Sequence, residues 1–194
     1  MRKGLKIIGI TYYDGCENVV LKSDSSLTVN RKPLFVPEAI TDLQALPCWV
    51  LRVSRLGKCI APRFASRYYD AVAAGVDFFG ADKLQAAKAA GKPWTEAIAF
   101  EGSLAVGEMS EVRCQKSDAK WRVVREDEQI EELEWGGDLR EVFDQAVARV
   151  SELLTIRQGD LIYVAHNEQP WQMQMNDVIR ACSGDDELLY CKIK

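Results

Sequence analysis

The feature that most constrains the fold of this chain is the way its apolar residues are packaged. They fall into many short β-branched runs, each closed by a turn signal, and only two stretches keep helical spacing. The run Lys6 to Tyr13 (KIIGITYY) is β-branched and aromatic and ends at Asp14-Gly15, which reads as a strand followed by a turn. Val19 to Lys22 and Leu34 to Val36 read as two further strands joined by the polar stretch KSDSSLTVNRKP. After Pro47, Trp49, Leu51, Val53 and Arg55 alternate with Val50, Arg52 and Ser54, and Gly57 ends the run. A period of two is the signature of a strand. Tyr68 to Phe79 forms another strand candidate, Val112 to Cys114 with Trp121 to Arg125 suggests a hairpin, and LIYVA follows Gly159-Asp160. The closing segments DVIRAC and LLYCKI flank the turn Ser183-Gly184-Asp185.

The helical stretches are easily separated from these. Ala81 to Ala90 is rich in helix formers and stops at Gly91-Lys92-Pro93. Gly136-Gly137-Asp138 reads as a helix start with Asp138 as N-cap, after which Leu139, Val142, Phe143, Ala146, Val147, Val150 and Leu153 share one face. The acidic stretch EDEQIEELE between hairpin and helix reads as solvated surface. Strands and helices do not alternate as βα units, so the expected class is α+β, mainly β: a mixed sheet with one long amphipathic helix. No linker, repeat or low-complexity tract divides the chain, and one domain over residues 1–194 is expected. Gly75, Gly80 and Gly91 are wrongly spaced for a phosphate-binding loop.

Charge and hydropathy exclude further classes. Lys plus Arg total 25 against 29 Asp plus Glu, a net charge of −4 that offers no basic field for nucleic acid. No segment is apolar over the roughly 18 residues that a membrane span needs, and the apolar run near the amino terminus lacks a small-residue cleavage site. A cytoplasmic location is expected. The six cysteines are scattered without a C-x-x-C pair, which favours buried free thiols over a disulfide framework.

The order of the segments resembles the fumarylacetoacetate hydrolase family over most of the chain. VVLKSDSSL, from Val19 to Leu27, is similar to that family's early strand and K-P-x-S loop. RLGKCIAPRFASRYYDAVAAGVDF, from Arg55 to Phe78, is similar to its strand with a G-K turn and the segment bearing a metal-binding Asp. Leu84-Gln85, Ala90-Gly91-Lys92-Pro93-Trp94 and Ala99-Phe100 follow its R-D-L-Q…G-x-P-W…K-x-F stretch. Leu154-Thr155 and Gly159-Asp160-Leu161-Ile162 follow the T-L-x-x-G-D-L-I ahead of its T-G-T-P loop. The fold implied is the family's mixed β-sandwich or roll, here shortened at the N-terminal lid between Thr11 and Val19. A homodimer is implied as well.

The resemblance also implies a chemistry, cleavage of C–C bonds in 2-oxo acids and acylpyruvates around magnesium or manganese. Hard cations require oxygen ligands, in this family an E-x-E pair on one strand and an Asp from the next. A spacing of two points both Glu side chains to one face, where the metal can polarise the substrate carbonyl. In this chain the pair falls on Leu46 and Cys48, or in a shorter register on Trp49 and Leu51, and no Asp or Glu occurs between Leu43 and Tyr69. Asp77 is the remaining metal-ligand candidate. The active-site Lys of K-x-F falls on Ile98, and the T-G-T-P loop falls on Val164-Ala165-His166-Asn167.

These departures lead to the expectation of a catalytically impaired member with no cofactor, a scaffold that binds a small 2-oxo acid or a protein partner. Lys22, Ser25 and Ile98 are the substrate-facing candidates. The alternative is an active hydrolase or decarboxylase, with Mg or Mn in a site rebuilt from Asp82, Glu96 and Glu101, or with Cys48 and His166 as a thiol–imidazole pair. Trp49, Trp94, Phe100 and Trp171 are expected in the core or an interface.

Overall fold

The computed structural model describes residues 4–13, 15–112, 119–135, 138–166 and 169–194. The strands in chain order are β1 (Ile7–Thr11), β2 (Asn18–Lys22), β3 (Leu27–Val29), β4 (Leu43–Val53), β5 (Tyr69–Gly80), β6 (Leu104–Val106), β7 (Ser110–Glu111), β8 (Lys120–Arg125), β9 (Glu128–Glu134), β10 (Leu161–Ala165), β11 (Trp171–Gln172), β12 (Val178–Ser183) and β13 (Asp186–Lys192). The helices are α1 (Pro62–Ala65), α2 (Ala81–Ala89), α3 (Thr95–Ile98) and α4 (Leu139–Leu153). The mainly β, α+β expectation holds, with the amphipathic helix in place.

The larger sheet follows the path β2-β1-β10-β4-β5-β6-β3, with β11 on β4 and β7 on β5. Its two end strands, β2 and β3, are consecutive in the chain and joined only by residues 23–26, which include a single 3-10 turn. So short a connection forces the sheet to curl until its edges approach, and this makes it a roll. At the seam Gly102 N donates to Ser25 O at 3.1 Å and Ser26 Oγ donates to Ala99 O at 3.3 Å. The second sheet, β13-β12-β8-β9, packs against the outside of the roll.

Alternation along the strands divides the core in two. Outward from the roll, Trp49, Leu51, Val76 and Ile162 pack with Trp121 of the second sheet and Phe143 of α4. The Trp49 ring stands edge-on to Trp121 at 5.1 Å and to Phe143 at 6.4 Å, the favoured geometry for aromatic pairs. Inward, Ile7, Leu46, Cys48, Val50, Phe79 and Tyr163 form a second cluster, closed by Leu84 of α2 and Ile98 of α3. Gly9 is required there, because a Cβ would lie 2.0 Å from the Tyr163 ring.

Three expectations need correction. Leu34 to Val36 is not a strand; Leu34 makes one isolated bridge to Ile193, and the strand instead lies at β3, inside the stretch read as a polar connection. The acidic stretch is solvated, as expected, and Leu133 alone in it is buried. It forms β9, which turns through Glu126 and Asp127 at φ 50° and 67° and pairs with β8. Trp121 to Arg125 pairs with β9 and β12; of its expected hairpin partner, Val112 to Cys114, residues Arg113 and Cys114 fall outside the described residues. Of the cysteines expected to be buried, Cys48 and Cys191 are, Cys182 is half-buried, Cys16 and Cys59 are exposed, and Cys114 is outside the described residues. No described helix is long and apolar enough to cross a membrane.

Candidate functional site

Among the described residues, the inner face of the roll is apolar except at one place. Asp77 projects inward from β5 and is completely buried. Lys22, the last residue of β2, reaches it from the edge of the sheet, with Nζ 2.5 Å from Asp77 Oδ1 and neither side chain exposed. The ammonium also donates to Ser103 O at 3.0 Å and Ser103 Oγ at 3.1 Å, and Phe78 O lies at 3.4 Å. Thr11 of β1 donates from Oγ1 to the other Asp77 oxygen at 3.1 Å. Ser103 Oγ in turn donates to the Ile98 carbonyl at 3.1 Å. Every proton of the ammonium thus has an acceptor, as a charge held away from water requires.

Three more titratable groups border the pair. Tyr13 and Tyr163 set their hydroxyls 3.5 Å apart, and the Lys22 ammonium lies 5.7 Å from the Tyr163 ring. Burial pushes both phenols well above the ordinary tyrosine range, and the Asp77 charge pushes the same way. The buried Cys48 thiol is likewise raised well above its usual value, by burial and then by Asp77, with Lys22 opposing. Burial pulls Lys22 below the ordinary lysine range, while its carboxylate partner pushes it back. The phenols and the thiol are therefore neutral near pH 7, able to donate hydrogen bonds and poorly suited to attack a substrate.

The strand register decides which residues face Asp77. Leu46 lies directly opposite Asp77 and Cys48 opposite Gly75, both on the inner face, whereas Trp49 and Leu51 belong to the outer core. The two inner-face positions bordering Asp77 on β4 thus carry an apolar side chain and a thiol. A divalent cation placed there would meet Asp77 alone, already committed to Lys22 and Thr11, and would be repelled by the ammonium. The residues present do not fit magnesium or manganese. Among the described residues no group of three or more His, Cys, Asp or Glu side chains could hold a metal ion.

The remaining candidates are dispersed. His166 follows β10 on the outer side, its ring edge-on to Trp135 at 4.7 Å, while Cys48 faces inward. The sheet therefore separates imidazole from thiol. Asn167, at the end of the segment similar to the T-G-T-P loop, lies outside the described residues. Ser25 is exposed and lines a cleft of about 790 Å³ with Leu27, Lys32, Phe35 and Glu38, away from the polar centre. Ile98 is buried and contributes its carbonyl to the Ser103 link. Asp82, at the start of α2, binds the Thr41 hydroxyl at 2.9 Å, and Glu96 and Glu101 are exposed. Trp49 and Trp171 are in the outer core, Trp94 packs partly against the inner one and Phe100 partly against the outer.

Thr11, Ser103, Tyr13 and Tyr163 complete the centre and were not singled out from the sequence. Thr11 had a readable signal: it continues the inward period of Ile7 and Gly9 with a hydroxyl, which a buried strand carries only when the group has a partner. Ser103 had none, since its role depends on a loop meeting a distant strand.

No protein-family model and no curated protein sequence matches the chain. Solved structures do. The fumarylpyruvate hydrolase from Pseudomonas aeruginosa, solved in complex with Mn2+ and pyruvate, superposes with a TM-score of 0.78 at 15% identity, covering 98% of this chain and 89% of that one. A protein of Yersinia pestis CO92 assigned to the fumarylacetoacetate hydrolase family gives 0.79 at 17% identity, over 98% and 92% of the two chains. The 5-carboxymethyl-2-hydroxymuconate delta-isomerase from Mycobacterium smegmatis gives 0.76 at 14% identity, over 97% and 78%. The roll built around Lys22 and Asp77 is the fold of the fumarylacetoacetate hydrolase proteins.

Proposed function

We propose that this chain is a fumarylacetoacetate hydrolase family protein that has given up metal-dependent cleavage of 2-oxo acids and acts as a non-catalytic, homodimeric scaffold. The Lys22–Asp77 pair is the observation that carries this reading. Asp77 is bound by an ammonium, and its strand neighbours Leu46 and Cys48 supply no oxygen ligand. The raised Cys48 thiol and the outward His166 favour no nucleophilic alternative, and Asp82, Glu96 and Glu101 do not converge on Asp77. Pyruvate is held by the Pseudomonas relative together with Mn2+; without a metal, a 2-oxo acid loses the Lewis acid that would chelate and polarise it. Incubation with fumarylpyruvate and Mn2+, followed through the absorbance of the substrate's enol, tests the reading. No turnover above the metal-only control is expected; hydrolysis that scales with protein concentration would contradict it.

A further inference from the structure

The ammonium in the roll is delivered from an unusual position. Lys22 ends the strand at one extreme of the sheet path, and Ser103 immediately precedes β6, next to the other extreme. Asp77 sits between them on β5, and Thr11 reaches it from β1. A single cationic group thus holds one carboxylate and two backbone carbonyls drawn from both sides of the seam. Around it, among the described residues, stand uncharged groups: Tyr13 just after β1, Cys48 from β4, Tyr163 from β10 and the hydroxyls of Thr11 and Ser103.

We propose that Lys22 is a tethered cation, and that the oxygen cage around it is a binding site for a primary alkylammonium once the tether is cut. The cage has the geometry for it: acceptors at 2.5 to 3.4 Å around the ammonium, set within the apolar inner cluster to which Val20, Leu46 and Phe79 belong. A hydrated divalent ion finds one carboxylate here and stays in water, whereas an ammonium needs three acceptors and has them. This inference rests on the metal-free reading of the centre.

Lys22→Ala removes the atoms beyond Cβ, and n-propylammonium replaces them. The variant should melt roughly 10 °C below the wild type, as loss of one partner of a buried pair implies in a chain of this size. n-Propylammonium chloride should then raise its melting temperature saturably and leave the wild type unmoved. Sodium chloride and tetrapropylammonium, at matched concentrations, should not. Equal effects of all three salts, or no effect of any, would overturn the proposal. If Lys22→Ala does not fold alone, it is refolded from urea in the presence of each of the three salts; recovery of the native fold with n-propylammonium only is expected, and recovery with none of them, or equally with all, overturns the proposal. Binding of Mn2+ by the wild type would instead sink the metal-free reading, and is scored on a different protein, so the two failures are distinguishable.

Discussion

At the scale of single residues the centre is a buried ion pair whose partners are each costly to lose. Asp77→Asn or Lys22→Met alone should destabilise the protein by about 3 to 5 kcal/mol, because the survivor is left charged and dry. The double variant Lys22→Met/Asp77→Asn should lose far less than the sum, and urea denaturation of the four proteins gives the coupling directly. Cys48 carries a second prediction at this scale. Its thiol is buried and raised, so iodoacetamide at pH 7.5 should label Cys16 and Cys59 in the native protein and spare Cys48, as read by peptide mass spectrometry. Fast labelling of Cys48 would revive a nucleophilic site. Asp77 was legible in the sequence as an acid at a strand end, and Leu46 and Cys48 as non-ligands. The burial of Lys22 was not, because a lysine followed by Ser-Asp-Ser-Ser has the local composition of a loop, and only the curl of the sheet turns it inward.

At the scale of elements, α4 and the seam of the inner core are the sensitive places. Asp138 caps α4 by accepting from Arg140 N at 2.9 Å, so Asp138→Ala should cost about 1 kcal/mol. Phe143, wholly buried between Trp49 and Tyr69, should cost about 3 to 5 kcal/mol as Phe143→Ala. Gly9→Ala should be severely destabilising through its collision with Tyr163 and should be relieved in a Tyr163→Leu background, which a thermal melt of both proteins would show. Strands β4, β5 and β10 and helices α2 and α4 were readable, since each has a clear period and a stop. β3 escaped because three residues inside a polar connection carry no period. β9 escaped because an edge strand that buries Leu133 alone has no apolar alternation to display.

At the scale of the whole molecule, the sheet order was out of reach of local pattern: β1 pairs in parallel with β10, joining Ile7 to Leu161 across most of the chain. Burial leaves several groups holding their protons more tightly folded than unfolded. Tyr13, Tyr163, Tyr69 and Cys48 are raised, and Cys191 is pushed up to about 11. Raised values contribute stability that is complete below the unfolded values and lost as pH climbs past them; Lys22, lowered, works in the opposite sense but stands alone among the buried groups. Stability should therefore decline from about pH 9 upward, and denaturant midpoints at pH 7, 9 and 10.5 would show it. The central claim is that this roll binds no divalent ion. Electron paramagnetic resonance of free Mn2+, titrated into the protein with and without pyruvate, measures it most directly. The account predicts an undiminished aqueous signal at stoichiometric concentrations; loss of one Mn2+ equivalent per chain would contradict it.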